Sequence, residues 1–302
     1  MYILTAYVDE VLTPSKRQIK FMKAKVRSII EVLANCSSIK PKEVHLGGSM
    51  AKGTMLSHKL DADIIFLYNK IEEFGKDWNK LVTSVYKPLK DNFPEIAVEE
   101  AGNLAIHLKD TLDEKEVNFD VVPGYFVNSP KTMEDHVGSN LYTANTTVWH
   151  SRYLQKYKDY TYFRHIIRLL KDWKNEQDVP FLKSLHFELT AADVYDNILP
   201  EIDYPVELDE VLMYCFKNII DTLDGYPVIP FEWKYCNEED FEERYENPVL
   251  IDPANPRDNL LSKITKIDIN KIRKKTMITM ENLQEGYYAD IFNRKGFTDF
   301  FE

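Results

Sequence analysis

Cysteine is scarce in this chain. Cys36, Cys215 and Cys236 are the only three in 302 residues, an odd number at wide spacing, which argues against a disulfide framework and against a thiolate zinc site. No run approaches the roughly 18 apolar residues that a membrane helix needs. The first ten residues, Met-Tyr-Ile-Leu-Thr-Ala-Tyr-Val-Asp-Glu, do not set a basic stretch before a long apolar one. Internal repeats and low-complexity stretches are missing too. The expectation from these absences is a cytoplasmic protein without a membrane partner. At 44% hydrophobic residues the chain can bury a large core, as one bilobal unit or two domains.

Acidic residues are missing locally, although the net charge is -11. From Val11 to Ile30 there are six basic residues, Lys16, Arg17, Lys20, Lys23, Lys25 and Arg27, and no acid. Lys263 to Lys275 adds six basics against Asp268, whereas Asp193 to Asn247 holds sixteen acids and three basics, a local charge of -13. The acidic stretch is typical of solvated helix faces and loops. Pro14 to Leu33 reads as a long helix, with proline in its first turn and Ile19, Met22, Val26, Ile29, Ile30 and Leu33 at helical spacing. Its basic side is either a surface for a polyanion or a solvated face, and the overall negative charge opposes the first.

What is present is concentrated in residues 47 to 63. Gly47-Gly48-Ser49 forms a small oxygen-lined turn, followed after eleven residues by Asp61-Ala62-Asp63, which opens the apolar run Ile64-Ile65-Phe66-Leu67. In a strand, alternate side chains share a face, so Asp61 and Asp63 project together while Ala62 points to the opposite layer. Two carboxylates on one edge can hold a pair of Mg2+ or Mn2+ ions, which prefer oxygen ligands and leave positions for water and phosphate. Two such metals, ~3.5 to 4 Å apart, can serve an attacking hydroxyl and a pyrophosphate leaving group. Gly48 lets backbone approach phosphate oxygens, and Ser49 adds a hydroxyl near a helix start. Glu116 to Pro123 alternates as a second strand and offers Asp120 as a third ligand, placed to accept the proton of the incoming hydroxyl. The Lys52-Gly53-Thr54 sequence is not a phosphate-binding P-loop, which requires Gly-Lys-Ser/Thr after an earlier glycine.

These segments resemble the 2′-5′-oligoadenylate synthetases, the cyclic GMP-AMP synthase-like enzymes (CD-NTases) and the archaeal CCA-adding enzymes, within the DNA polymerase beta-like superfamily. Residues Gly47 to Thr54 with Asp61-Ala62-Asp63 are similar to the first motif of that family, and Phe119-Asp120-Val121-Val122-Pro123 to its third-carboxylate strand. Arg164 to Trp173 resembles its helix with a triphosphate-contacting lysine, here Lys171, and Ser184 stands near a phosphate-contacting serine. Pro248 to Asn259 resembles an Asp-Pro-x-x-Pro-x-x-Asn segment. Leu185 stands where several relatives have a base-stacking aromatic, so that ring would come from elsewhere, with Tyr142, Tyr153 and Tyr195 as candidates. His58 and His107 read as surface or packed histidines. The inserted zinc module of cyclic GMP-AMP synthase has no counterpart.

The resemblance implies an α+β fold: a polymerase beta-like palm, a mixed sheet with helices, followed by an α-helical C-terminal lobe, with the nucleotide in a cleft between them. The corresponding division is 1–150, carrying the spine helix, and 151–302. It implies a metal-dependent enzyme that joins NTPs, ATP among them, into a cyclic or linear oligonucleotide second messenger in antiviral, anti-phage defence, with a downstream effector that binds the product. In animal relatives a comparable spine helix senses double-stranded nucleic acid, so Lys16, Lys20, Lys23 and Arg27 are the candidate surface for a nucleic-acid or protein activator. The alternative is an RNA or tRNA 3′-terminal nucleotidyltransferase. Length favours the messenger enzyme, because tRNA-handling relatives carry extra RNA-binding domains.

Overall fold

A computed structural model describes residues 2–36, 40–69, 78–101, 105–126, 150–228, 246–253 and 255–292. The chain divides into two compact units, Pro14–Tyr153 in one, and Met1–Thr13 with Leu154–Glu302 in the other. Division of the sequence at residue 150 puts the first thirteen residues with the sheet; in the structure they group with the later helices.

The first unit is built on alternation. In β2 (Leu60–Asn69), Ala62, Ile64, Phe66 and Tyr68 are buried in one core, while Ile65 and Leu67 pack with Val122 on the opposite face. Strand β5 (Lys115–Phe126) repeats the pattern, with Val117, Phe119 and Val121 in the first core. Together with β1 (Glu43–Gly47), β3 (Ala97–Ala101) and β4 (Ala105–Leu112), these form a five-stranded sheet in the order β1-β2-β5-β4-β3. Only the β2–β5 pairing is parallel; the others are antiparallel. The β4–β5 hairpin turns through Asp113 and Glu114, both at positive φ (53° and 65°), the twist that suits a two-residue hairpin loop.

Helix α2 (Lys16–Cys36) seals the apolar face with Met22, Val26, Ile29 and Leu33, helped by Leu81, Val82, Val85 and Leu89 from α4 (Trp78–Asn92). Burying one such aliphatic side chain contributes about 1.5 to 3 kcal/mol, so this face supplies most of the unit's cohesion.

The second unit is mainly helical among the described residues. It opens with α1 (Tyr2–Tyr7) and a π-helical turn over Val8–Leu12, then continues with α5 (Phe163–Glu176), α6 (Ser184–Asp193), α7 (Leu208–Leu223), α8 (Lys266–Glu285) and α9 (Tyr288–Ile291). Strands β6 (Ile251–Asp252) and β7 (Asn255–Asn259) form a small antiparallel pair. Trp173 is fully buried and contacts Phe187 and Phe216, which ties α5 to α6 and α7. No described helix is long and apolar enough to cross a membrane.

Candidate active site

Strand pairing brings the acidic residues together. In the parallel β2–β5 register Asp63 lies opposite Asp120, and Asp61 opposite Asn118. Neighbouring strands are about 4.8 Å apart, so the two aspartates stand side by side on the face not covered by α2 and α4. All three carboxylates are half-buried. Asn118 Nδ2 donates to Asp61 Oδ1 (3.3 Å) and to Glu116 Oε1 (3.1 Å), which holds the Asp61 carboxylate on the polar face.

The glycine turn closes on the same point. Gly47 pairs with Asp63 at the end of β1, and Gly48 starts the short helix α3 (Gly48–Lys52) with φ +60°. A Cβ on Gly48 would lie 1.6 Å from Asp63 Oδ2 and 2.7 Å from its Cγ. That position therefore has two reasons to be glycine, a left-handed backbone and the Asp63 carboxylate against its Cα. Ser49 follows within the helical turn, where it accepts the Thr54 N–H on its carbonyl at 2.9 Å. Gly53, at φ 69°, ends the turn after Lys52.

Among the described residues no group of three or more His, Cys, Asp or Glu side chains stands ready as a metal cage. The donor chemistry still suits a hard divalent cation, since Asp61, Asp63 and Asp120 present carboxylate oxygens in adjacent registers.

His107 was not recognised in the sequence as part of this region. On β4 it lies opposite Asp120, and its Nδ1 is hydrogen-bonded to Asp120 Oδ1. A lone histidine in an alternating strand carries no signal of its own. Only the β4–β5 register discloses it.

Lys171 and Ser184 belong to the helical unit. The Lys171 side chain is 8% exposed and pairs with Glu188, which is fully buried, at 3.5 Å. Ser184 is exposed at the start of α6, one turn before Glu188 on the same helix, and positions four apart share a face. The Lys183 N–H donates to His186 Nδ1 at 2.8 Å; burial pulls that imidazole down to about 4. The neighbouring Arg168 guanidinium is brought down to about 10, first by burial and then by Arg164.

Tyr195 packs internally: it is buried, donates to the Thr161 carbonyl and contacts Phe163 and Tyr160 edge-on. Tyr153 is buried as well, and Tyr142 lies outside the described residues. Asn259 accepts the Leu250 and Leu261 N–H groups (3.1 and 3.0 Å) and donates to the Pro248 carbonyl (2.9 Å). The last asparagine of the Pro248–Asn259 segment is thus a backbone clamp.

Residues 26–139 match the model of a nucleotidyltransferase domain. The chain is 22% identical over 303 residues to mouse 2′-5′-oligoadenylate synthase 2, covering 84% of this chain and 40% of that protein. It spans 41% of the human counterpart. It is also 24% identical over 256 residues to a cyclic AMP-AMP-AMP synthase of Escherichia coli, covering 80% of this chain and 76% of that protein. The structure of Escherichia coli CdnC in complex with HORMA-deltaN matches at a TM-score of 0.69, with 18% identity over 95% of this chain and 91% of that chain. The structure of CdnC with ATP matches at 0.67, also with 18% identity, over 95% of this chain and 92% of that chain. Such a likeness shows a shared fold.

Proposed function

We propose that this chain, which is similar to the 2′-5′-oligoadenylate synthases and to a cyclic AMP-AMP-AMP synthase and carries a nucleotidyltransferase domain match, is an enzyme that joins NTPs, ATP among them, into a short linear or cyclic oligonucleotide and releases pyrophosphate. The observation that carries this reading is the register of Asp63 against Asp120 with Gly48 closed on Asp63.

Asp61, Asp63 and Asp120 are the residues that would hold Mg2+ or Mn2+, which when bound supply Lewis-acid stabilisation of the departing pyrophosphate. The chain's own groups define the rest. Asp120 accepts the proton of the incoming hydroxyl. Gly48 and Ser49 offer a backbone without Cβ bulk, and a hydroxyl, to phosphate oxygens. Lys171 and Ser184 are the proposed triphosphate contacts in the helical unit, although Lys171 already has Glu188 as a partner.

For activation, the basic side of α2 is less free than its sequence suggests. Arg17 pairs with Asp113 at 2.7 Å and Lys25 with Asp110 at 2.8 Å, both on the β4–β5 hairpin. That leaves Lys16, Lys20, Lys23 and Arg27, on a chain of charge -11, to attract a polyanion. A protein cue, as suggested by the CdnC complex with HORMA-deltaN, fits this charge better than nucleic acid. The product would act on a separate effector in anti-phage defence.

The test is incubation of the purified protein with all four NTPs and Mg2+ or Mn2+, followed by mass analysis of products. Small phosphatase-resistant oligonucleotides are expected. Stoichiometric addition of C or A to tRNA 3′ ends, without small products, would overturn the messenger reading in favour of terminal transfer.

A further inference from the structure

His107 sits in a polar row that runs across the whole sheet. At one register the strands present Gly47 on β1, Asp63 on β2, Asp120 on β5, His107 on β4 and Glu99 on β3. Within that row Asp120 has a like-charged neighbour on one side and an imidazole on the other. Aspartates directly across from each other repel, so a donor on the far side of Asp120 bears on where its oxygens point.

An ionised carboxylate only accepts hydrogen bonds, hence Nδ1 must carry the proton in the contact with Asp120 Oδ1. Glu99, opposite His107 on the other side, is taken up by Lys109 at 2.8 Å, and that ammonium holds the Glu99 carboxyl below its usual range. The imidazole is thereby left to Asp120. Stability does not explain the pair. Its side chains are 38% and 34% exposed, and exposed pairs of this kind contribute about 0 to 1 kcal/mol.

We propose that His107 is a positioning residue for the transfer reaction: its Nδ1–H anchors Asp120 Oδ1 from β4 and so leaves Oδ2 for the incoming hydroxyl and the cation. This rests on the nucleotidyltransferase reading of the same face. Removal of the imidazole frees the Asp120 carboxylate to rotate without touching the backbone that carries it. Asparagine is the conservative replacement, because its Nδ2 occupies the place of His Nδ1 and keeps a donor there.

The experiment compares wild type, His107→Ala and His107→Asn in three readouts. The first is steady-state turnover. His107→Ala should lose at least ~10-fold in kcat with KM for ATP within about twofold, as when an interaction important to the transition state is removed; His107→Asn should recover to within about threefold of wild type. The second is Mn2+ binding by electron paramagnetic resonance without nucleotide, which should weaken in His107→Ala and recover in His107→Asn. The third is the histidine side-chain 15N spectrum, where the His107 Nδ1 resonance should be of the protonated type and shift in Asp120→Ala. Unchanged kcat and Mn2+ binding in His107→Ala, or an alanine defect that asparagine does not repair, would overturn the assignment. Wild-type protein that forms no product from NTPs would sink the transferase reading instead, and the Mn2+ and 15N readouts would then decide the His107 contact by themselves.

Discussion

Gly48 shows what a single position can demand. A methyl group there would collide with the Asp63 carboxylate, which is a mobile side-chain end, so the fold can yield but the site cannot. Gly48→Ala should therefore cost about 1 to 2 kcal/mol of stability from its left-handed backbone. Displacing a reacting group by an ångström can cost ~10² in rate, so turnover should fall by at least that factor. A variant with wild-type turnover would show that Asp63 is not held where the chemistry needs it. Lys171 poses a different problem. Truncating one member of a buried pair leaves the other charge stranded, at about 3 to 5 kcal/mol, so Lys171→Ala should mainly destabilise the helical unit. The double variant Lys171→Met, Glu188→Gln should regain most of that loss in urea unfolding. Calorimetry on the double variant then isolates the phosphate role: weakened ATP binding supports it, and unchanged affinity removes it. The aspartates were legible in the sequence because a spacing of two in a strand fixes their common face. His107 was not, because its partner is thirteen residues away across a hairpin, and only the register says which residues meet.

At the scale of elements, β2 carries one local conflict. Tyr68 belongs to its apolar alternation and is fully buried in the core under α2 and α4, yet its hydroxyl has no hydrogen-bond partner among the described residues. Burial pushes that phenol far above its ordinary range. Tyr68→Phe should leave stability unchanged or raise it by up to about 1 kcal/mol, as read by chemical denaturation; a loss of more than ~1 kcal/mol would mean the hydroxyl is satisfied. At the start of α6, His186 links the helix to pH. Its folded-state value is drawn from 6.5 to about 4 by burial, so below pH 6.5 the unfolded chain takes up a proton that the folded chain refuses. Stability should fall as pH drops from 6.5 to 4, by on the order of 3 kcal/mol for this group. His186→Asn, which keeps an acceptor for the Lys183 N–H, should unfold in urea with a smaller difference between pH 7 and pH 4.5 than wild type. An equal difference in both proteins would remove His186 from the account. Helix α8 was not read from the sequence, for a related reason. Its buried stripe is Ile272, Thr276, Thr279 and Leu283, and threonines hide an apolar period. Thr279 is there because Trp173 Nε1 donates to its hydroxyl at 2.7 Å.

For the whole molecule, the resemblance carried by Gly47 to Thr54, Asp61 to Asp63 and Phe119 to Pro123 was enough to anticipate a sheet-based part and a helical part. The α+β architecture agrees with that reading and with the CdnC structures. The first thirteen residues escaped it, since their buried set of Leu4, Tyr7, Val8 and Leu12 is short and its partners are remote. Tyr7 donates to the buried Asp172 at 2.9 Å, 165 residues away, a tie that no local pattern announces. The likeness to a nucleotidyltransferase domain was legible through the Gly-Gly-Ser and Asp-x-Asp spacing, which lies inside the matched residues 26–139.

The central claim is that Asp61, Asp63 and Asp120 act as one catalytic constellation. Pyrophosphate release from ATP and mixed NTPs, measured for the wild type beside Asp61→Asn, Asp63→Asn and Asp120→Asn, tests it most directly. Each substitution removes a charge from a half-buried polar face and should spare the thermal transition while reducing turnover by at least ~10³, the scale of lost electrostatic stabilisation. Near-normal pyrophosphate release by a folded Asp61→Asn, Asp63→Asn double variant would contradict it.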